Sequence, residues 1–134
     1  MPGEASARAV LVVDDEVILG RSVKRMLARD YQVTLATSAH EALALFASGI
    51  SFDLILCDLM MPEMDGPACL QRLRALPETQ AIPVLFMTAK VQTAEIDRYL
   101  AMGAAGVIRK PFDPMTLAQD VRSLLEAAEK RRAK

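Results

Sequence analysis

Leu54-Ile55-Leu56-Cys57-Asp58-Leu59-Met60-Met61-Pro62-Glu63-Met64-Asp65-Gly66 is the stretch whose reading decides the fold. An unbroken apolar run delivers one carboxylate, Asp58, to its end, and the chain then bends through Pro62 and Asp65-Gly66. A short apolar run bounded by turn residues reads as a strand covered on both faces. A carboxylate at the tip of such a strand is costly unless a cation or hydrogen bonds meet it. The arrangement recurs along the chain. Ala9–Val13 runs into Asp14-Asp15, Pro83–Met87 ends on Thr88, and Gly106–Arg109 ends on Lys110-Pro111. If these runs are parallel neighbours, three carboxylates, a hydroxyl and an ammonium converge at one edge of a sheet.

Between the apolar runs lie segments of helical period. Strands are predicted at Ala9–Val13, Gln32–Leu35, Leu54–Cys57, Val84–Met87 and Val107–Arg109. Helices are predicted near Val17–Arg29, Ala39–Ala47, Pro67–Leu76, Thr93–Met102 and Pro114–Arg131. Ser38 followed by Glu41 reads as a capping box, with His40 exposed inside it. Asp65, beside Gly66-Pro67, reads as a turn or cap acceptor. Asp113-Pro114 places a capping acceptor before a proline at a first helical turn. In the last helix Met115, Leu117, Val121, Leu124 and Leu125 fall roughly on one stripe. Strict alternation of strand and helix means parallel strands with helices on both faces. In such an open sheet a ligand sits outside the carboxyl ends of the strands, where Asp14, Asp15, Asp58, Thr88 and Lys110 all fall.

Composition bounds the function. A chain of 134 residues has core enough for one domain, with a core at about 8–127 and a basic helix end or linker stump at 128–134. Its net charge of -1 and its 4% aromatic content give no footprint for direct nucleic-acid binding. No run approaches membrane-spanning length and no signal peptide is evident, so a cytoplasmic location is expected. Cys57 and Cys69 lack metal or redox spacing, and Cys57 reads as a small core residue.

The converging carboxylates cannot all ionise cheaply without compensation. Mg²⁺ suits the set: it takes few carboxylates, keeps waters and shares its remaining positions with phosphate oxygens. Asp58, at the end of the strand expected to be central, is the carboxylate left to attack phosphorus. Lys110 would balance charge on the transferring group, and the Thr88 hydroxyl would donate to one of its oxygens. The product is an acyl phosphate, a labile species suited to a timed signal.

The acidic pair Asp14-Asp15, the Asp58–Gly66 block, Thr88-Ala89 and Lys110-Pro111-Phe112, in this order, resemble the receiver domain of two-component response regulators. The resemblance covers nearly the whole chain, from Ala9 to Leu125. It implies an α/β, doubly wound, five-stranded parallel sheet of order 2-1-3-4-5 with five helices, flavodoxin-like and three-layered. It also implies that Asp58 accepts phosphate from a histidine kinase or a histidine phosphotransfer protein and passes the signal to an output protein or domain. Asp15 would ligate Mg²⁺ directly, Asp14 mostly through water, Asp58 through its carboxylate and Met60 through its backbone carbonyl. The Lys110-Pro111 bond would be cis. Met60 and Lys90, two positions after the acceptor and the threonine, would set the lifetime of the phosphoryl group, here a long one. A weak homodimer is compatible with the family.

One departure stands out. The family usually carries Tyr or Phe three residues before the lysine, and this chain has Val107. Valine has few rotamers and short reach, so signal readout is expected to pass instead through the loop from Thr88 to Val91 and through surface residues such as Tyr99. Two other readings compete. An aspartate-nucleophile phosphohydrolase would place its nucleophile after the first strand, where this chain has Asp14-Asp15-Glu16. A receiver that binds partners without phosphorylation would not need the complete acidic set. The sequence accommodates a stand-alone receiver, a relay intermediate and a piece of a larger regulator or hybrid kinase.

Overall fold

The five strands form one parallel sheet of order β2-β1-β3-β4-β5 in the computed structural model, which describes residues 8–89 and 92–132. The strands are β1 (Arg8–Val13), β2 (Tyr31–Ala36), β3 (Leu54–Asp58), β4 (Val84–Thr88) and β5 (Gly106–Arg109). The helices are α1 (Val17–Leu27), α2 (Ala39–Ala47), α3 (Gly66–Arg74), α4 (Thr93–Ala101) and α5 (Leu117–Arg132). The order reverses between β1 and β3, because the chain first builds β2 outward on one side and then β3, β4 and β5 on the other.

Alternation along the strands divides the core into two layers. Val10, Val12, Leu54, Leu56, Leu85 and Met87 pack with Val23 and Leu27 of α1 and with Leu117, Val121 and Leu125 of α5. Leu11, Val13, Ile55, Cys57, Val84 and Phe86 pack with α2, α3 and Tyr99 of α4. Every residue of β3 and β4 is buried, which explains their unbroken apolar sequence.

The sheet ladder continues past the strands into the loops that carry the polar residues. The Leu59 N–H donates to the Met87 carbonyl at 2.9 Å, the Lys110 N–H to the Thr88 carbonyl at 2.8 Å, and the Asp14 N–H to the Ala36 carbonyl at 3.0 Å. After Asp58 the loop passes through Glu63 in the left-handed region (φ 68°), and the Gly66 N–H returns to the Leu59 carbonyl at 3.0 Å. Asp65 caps α3, its Oδ1 accepting from the Ala68 N–H at 2.9 Å. Ser38 caps α2 in the same way at 3.0 Å, while Glu41 reaches back to the Thr37 N–H and hydroxyl.

The last helix begins later than its sequence suggests. Pro114–Thr116 form a turn, closed by the Asp113 side chain on the Met115 N–H and by the Asp113 carbonyl on the Leu117 N–H, each at 2.9 Å. Met115 therefore stands off the helix, 89% exposed and outside the core stripe to which its spacing assigned it. No helix among the described residues is long and apolar enough to cross a membrane.

Gly66 fixes how closely α3 approaches the end of β3. A Cβ there would lie 2.8 Å from the Asp58 carbonyl oxygen, 3.0 Å from Phe86 Cε1 and 3.1 Å from Leu59 Cα. Two of these are backbone atoms that cannot yield, so overpacking of about 1–3 kcal/mol is expected for Gly66→Ala. Urea unfolding should show this as a lower midpoint at unchanged slope.

Candidate functional site

Three polar side chains lie just past the carboxyl ends of β1, β3 and β5 because the alternation of these strands carries them to the same sheet face. Asp14 continues the Val10–Val12 row, Asp58 the Leu54–Leu56 row and Lys110 the Ile108 row. Lys110 Nζ stands 3.2 Å from Asp58 Oδ1 and 3.4 Å from Asp14 Oδ2. Its third neighbour is Glu16 Oε1, at 3.7 Å. Asp14 is 2% exposed, and its Oδ1 accepts from the Glu16 N–H at 2.9 Å. The Lys110-Pro111 bond is cis, as the resemblance implied.

Burial and charge pull against each other here. Burial, reinforced by the negative charge of Asp14, pushes the Asp58 carboxyl up to about 6, against the Lys110 ammonium and the Met60 N–H. Burial also raises Asp14, although the Glu16 N–H and Lys110 favour its ionised form. For Lys110 burial disfavours the ammonium, but the two aspartates outweigh it and hold the group above the ordinary lysine value. The three residues thus form a compact set in which the cation is firm and the central carboxylate is the easiest to neutralise.

The carboxylate oxygens that come within 4.8 Å of one another belong to Asp14, Glu16 and Asp58. Asp15, expected as a direct metal ligand, is exposed and lines the cavity in front of the cluster without joining that set. Glu16 was not singled out from sequence. Its signal was its place in Asp14-Asp15-Glu16; as the N-cap residue of α1 it stays exposed, with Oε1 within reach of the Lys110 ammonium. All three acids offer hard oxygens, the donors Mg²⁺ prefers.

The cavity measures about 740 Å³ and is lined by Asp15, Glu16, Asp58, Met60, Thr88, Gln92, Glu95, Tyr99 and Lys110 among others. Met60 is 75% exposed at its rim. Thr88 is buried at the end of β4, on the opposite sheet face from Asp58 by strand alternation. Val107 is half-buried on β5, in register with Phe86. Tyr99, expected at the surface, is 7% exposed and packs edge-on against Phe86. Lys90 and Val91 lie outside the described residues. Cys57 is buried and its thiol donates to the Asp58 carbonyl at 3.5 Å; the adjoining Cys69 and burial hold it well above the ordinary thiol range, in keeping with a packing role. A second cavity, of about 790 Å³, opens at the far rim of the sheet beside Arg8, Gly103 and Arg131 and contains none of these acids.

Fold and site together define a phosphorylation-type signalling module, and comparison with known proteins assigns its family. Residues 10–122 match the response regulator receiver domain. The response regulator Rre1 of Synechocystis is 37% identical over 119 residues, covering 87% of this chain and 51% of that protein. The chemotaxis response regulator CheY4 of Vibrio cholerae superposes with a TM-score of 0.82 at 31% identity, covering 90% of this chain and 100% of that one. The signal receiver domain of a histidine kinase from Syntrophus aciditrophicus gives a TM-score of 0.75 at 34% identity, covering 90% of this chain and 91% of that one. The chain belongs to the response regulator receiver domain family and is a switch of the two-component type. It spans about half the length of the curated relatives that head the comparison.

The raised Asp58 carboxyl has a signed consequence for stability. A folded-state value of about 6, above the ordinary 3.8, means that the native state holds the proton more tightly. That contribution is complete below the ordinary value and is lost as pH rises through about 6. Stability should therefore fall across this window, and Asp58→Asn should flatten the fall and gain about 1–3 kcal/mol at neutral pH. Urea titrations of both proteins at closely spaced pH values check this.

Proposed function

We propose that Asp58 is the phospho-acceptor of this receiver, charged by a phosphohistidine on a histidine kinase or histidine phosphotransfer protein. The observation that carries the reading is the Lys110 ammonium set between Asp58 and Asp14, at 3.2 and 3.4 Å. One Asp58 oxygen attacks phosphorus in line as the bond from phosphorus to the imidazole nitrogen breaks, and that bond's electrons return to the ring. Lys110 balances negative charge on the transferred group. Thr88, which lines the same cavity, donates its hydroxyl proton to a phosphoryl oxygen once the group has arrived.

Mg²⁺ fits the donor set. Asp14 and Asp58 would hold it, with Asp15 and Met60 of the same cavity as further ligands, Met60 through the backbone carbonyl that the resemblance implies, and Glu16 adds a further hard oxygen. When bound, the ion supplies charge neutralisation for the phosphoryl oxygens. The repulsion among Asp14, Glu16 and Asp58 is then shared between the ion and Lys110.

Two features support a switch over a turnover phosphohydrolase. The acceptor follows the third strand, not the first, and both relatives and structural neighbours are regulators or receivers. The output is proposed to lie in a further protein or domain; the curated relatives are about twice the length of the part matched, whereas the CheY4 chain is covered in full.

Acetyl phosphate with Mg²⁺ is expected to add one acid-labile phosphoryl group to the wild type and none to Asp58→Asn, as read by intact mass. Equal labelling of both would remove Asp58 from the role. Lys110→Ala is expected to fold and to be labelled far more slowly, because the carboxylates lose their internal cation. Its melting temperature should rise more with Mg²⁺ than the wild type's does, since the ion then replaces the missing charge. Thermal melts with and without Mg²⁺, run beside the labelling assay, read both effects.

A further inference from the structure

α4 is the most lightly held helix around the site. Of its residues only Tyr99 is buried, and its N-cap, Gln92, makes no side-chain hydrogen bond to the first turn. α1, α2 and α3 each bury two or more residues, and α5 buries Leu117, Val121, Leu125 and Ala128. The position of α4 against the sheet therefore rests largely on one side chain.

That side chain reaches the site. The Tyr99 ring meets Phe86 edge-on, with centroids 5.4 Å apart and planes at 78°. Phe86 stands two residues before Thr88 on β4, so both face the layer that α4 covers. The register partner of Phe86 on β5 is Val107, whose short side chain packs against the same cluster and leaves the β4–β5 seam to be filled from above. Tyr99 also lines the cavity that holds Asp58 and Thr88. On its outer side Arg98 covers the ring, its guanidinium carbon 5.3 Å from the centroid, and donates to the Tyr99 hydroxyl at 3.4 Å.

We propose that Tyr99 is the positioning residue that converts movement of Thr88 into displacement of α4. The inference rests on Asp58 being the phospho-acceptor. A phosphoryl group on Asp58 draws the Thr88 hydroxyl toward it, and the wall of the cavity beside Tyr99 changes shape. A close-packed ring cannot leave that space empty without losing its contacts. A side chain rooted in a strand could answer by changing rotamer, its backbone held in the sheet ladder. Tyr99 is rooted in a helix with no second buried residue, so helix and ring move together. The ring, not the hydroxyl, does the coupling: the ring packs on Phe86, while the hydroxyl accepts from Arg98.

The test compares wild type, Tyr99→Phe and Tyr99→Leu, with and without Mg²⁺ and beryllofluoride. Phosphoryl uptake from acetyl phosphate with Mg²⁺, by intact mass, and amide hydrogen exchange over residues 93–101 are read on each protein. Wild type and Tyr99→Phe should take up the phosphoryl group and change their α4 exchange on beryllofluoride binding. Tyr99→Leu keeps an apolar side chain but loses the ring. It should be labelled to the wild-type extent while its α4 exchange no longer responds. A full α4 response in Tyr99→Leu, or its loss in Tyr99→Phe, overturns the inference while leaving the acceptor role of Asp58 intact. Absence of labelling in the wild type overturns the acceptor role and this inference with it.

Discussion

The Lys110 ammonium between the Asp14 and Asp58 carboxylates is the interaction on which the arrangement of the site depends. Two buried carboxylates at the ends of adjacent strands repel each other, and without an internal cation one would take up a proton or turn to solvent. Lys110 opposes both: its backbone continues the ladder beside β4, and its side chain reaches past the end of β4 to the two carboxylates. The strand order is thus tied to the charge distribution. The pair β1–β3 brings the acids together, and the chain must still add β4 before the neutralising group arrives.

Much of this was legible in the residues. Unbroken apolar runs ending on Asp14, Asp58, Thr88 and Lys110 marked strands covered on both faces with their polar ends on one rim, and that is where these residues lie. The cap residues Ser38 and Asp65 were readable because their chemistry is local. The strand order was not derivable from pattern: equally apolar strands carry no mark of their neighbours, and the order came with the family resemblance. Asp113 caps the chain before Pro114 as its sequence suggested, its side chain accepting from the Met115 N–H, but the residues after it close as a turn and the regular helix starts only at Leu117.

Within the site, two readings needed the fold. Among Asp14, Asp15 and Glu16 the sequence gives no reason to prefer one acid, since strand alternation stops at the end of β1 and helix geometry takes over at Glu16. Tyr99 sits in a helix that is mostly polar and was expected at the surface, yet Ile96, Tyr99 and Leu100 have i, i+3, i+4 spacing, with Tyr99 buried and the other two half-buried. A narrow stripe on a short helix is easily overlooked, and here it marks a helix held by little else.

The hydrogen bonds that extend the sheet ladder beyond β3, β4 and β5 have a consequence for signal fidelity. Leu59 is tied to Met87 and Lys110 to Thr88, so acceptor, hydroxyl and ammonium are held by one continuous network that also builds the core. No one of them can be in place while its neighbours are not. A partly folded chain would present Asp58 without Lys110 beside it. On the proposed acceptor role, charging is then tied to complete folding by the same bonds that complete the sheet.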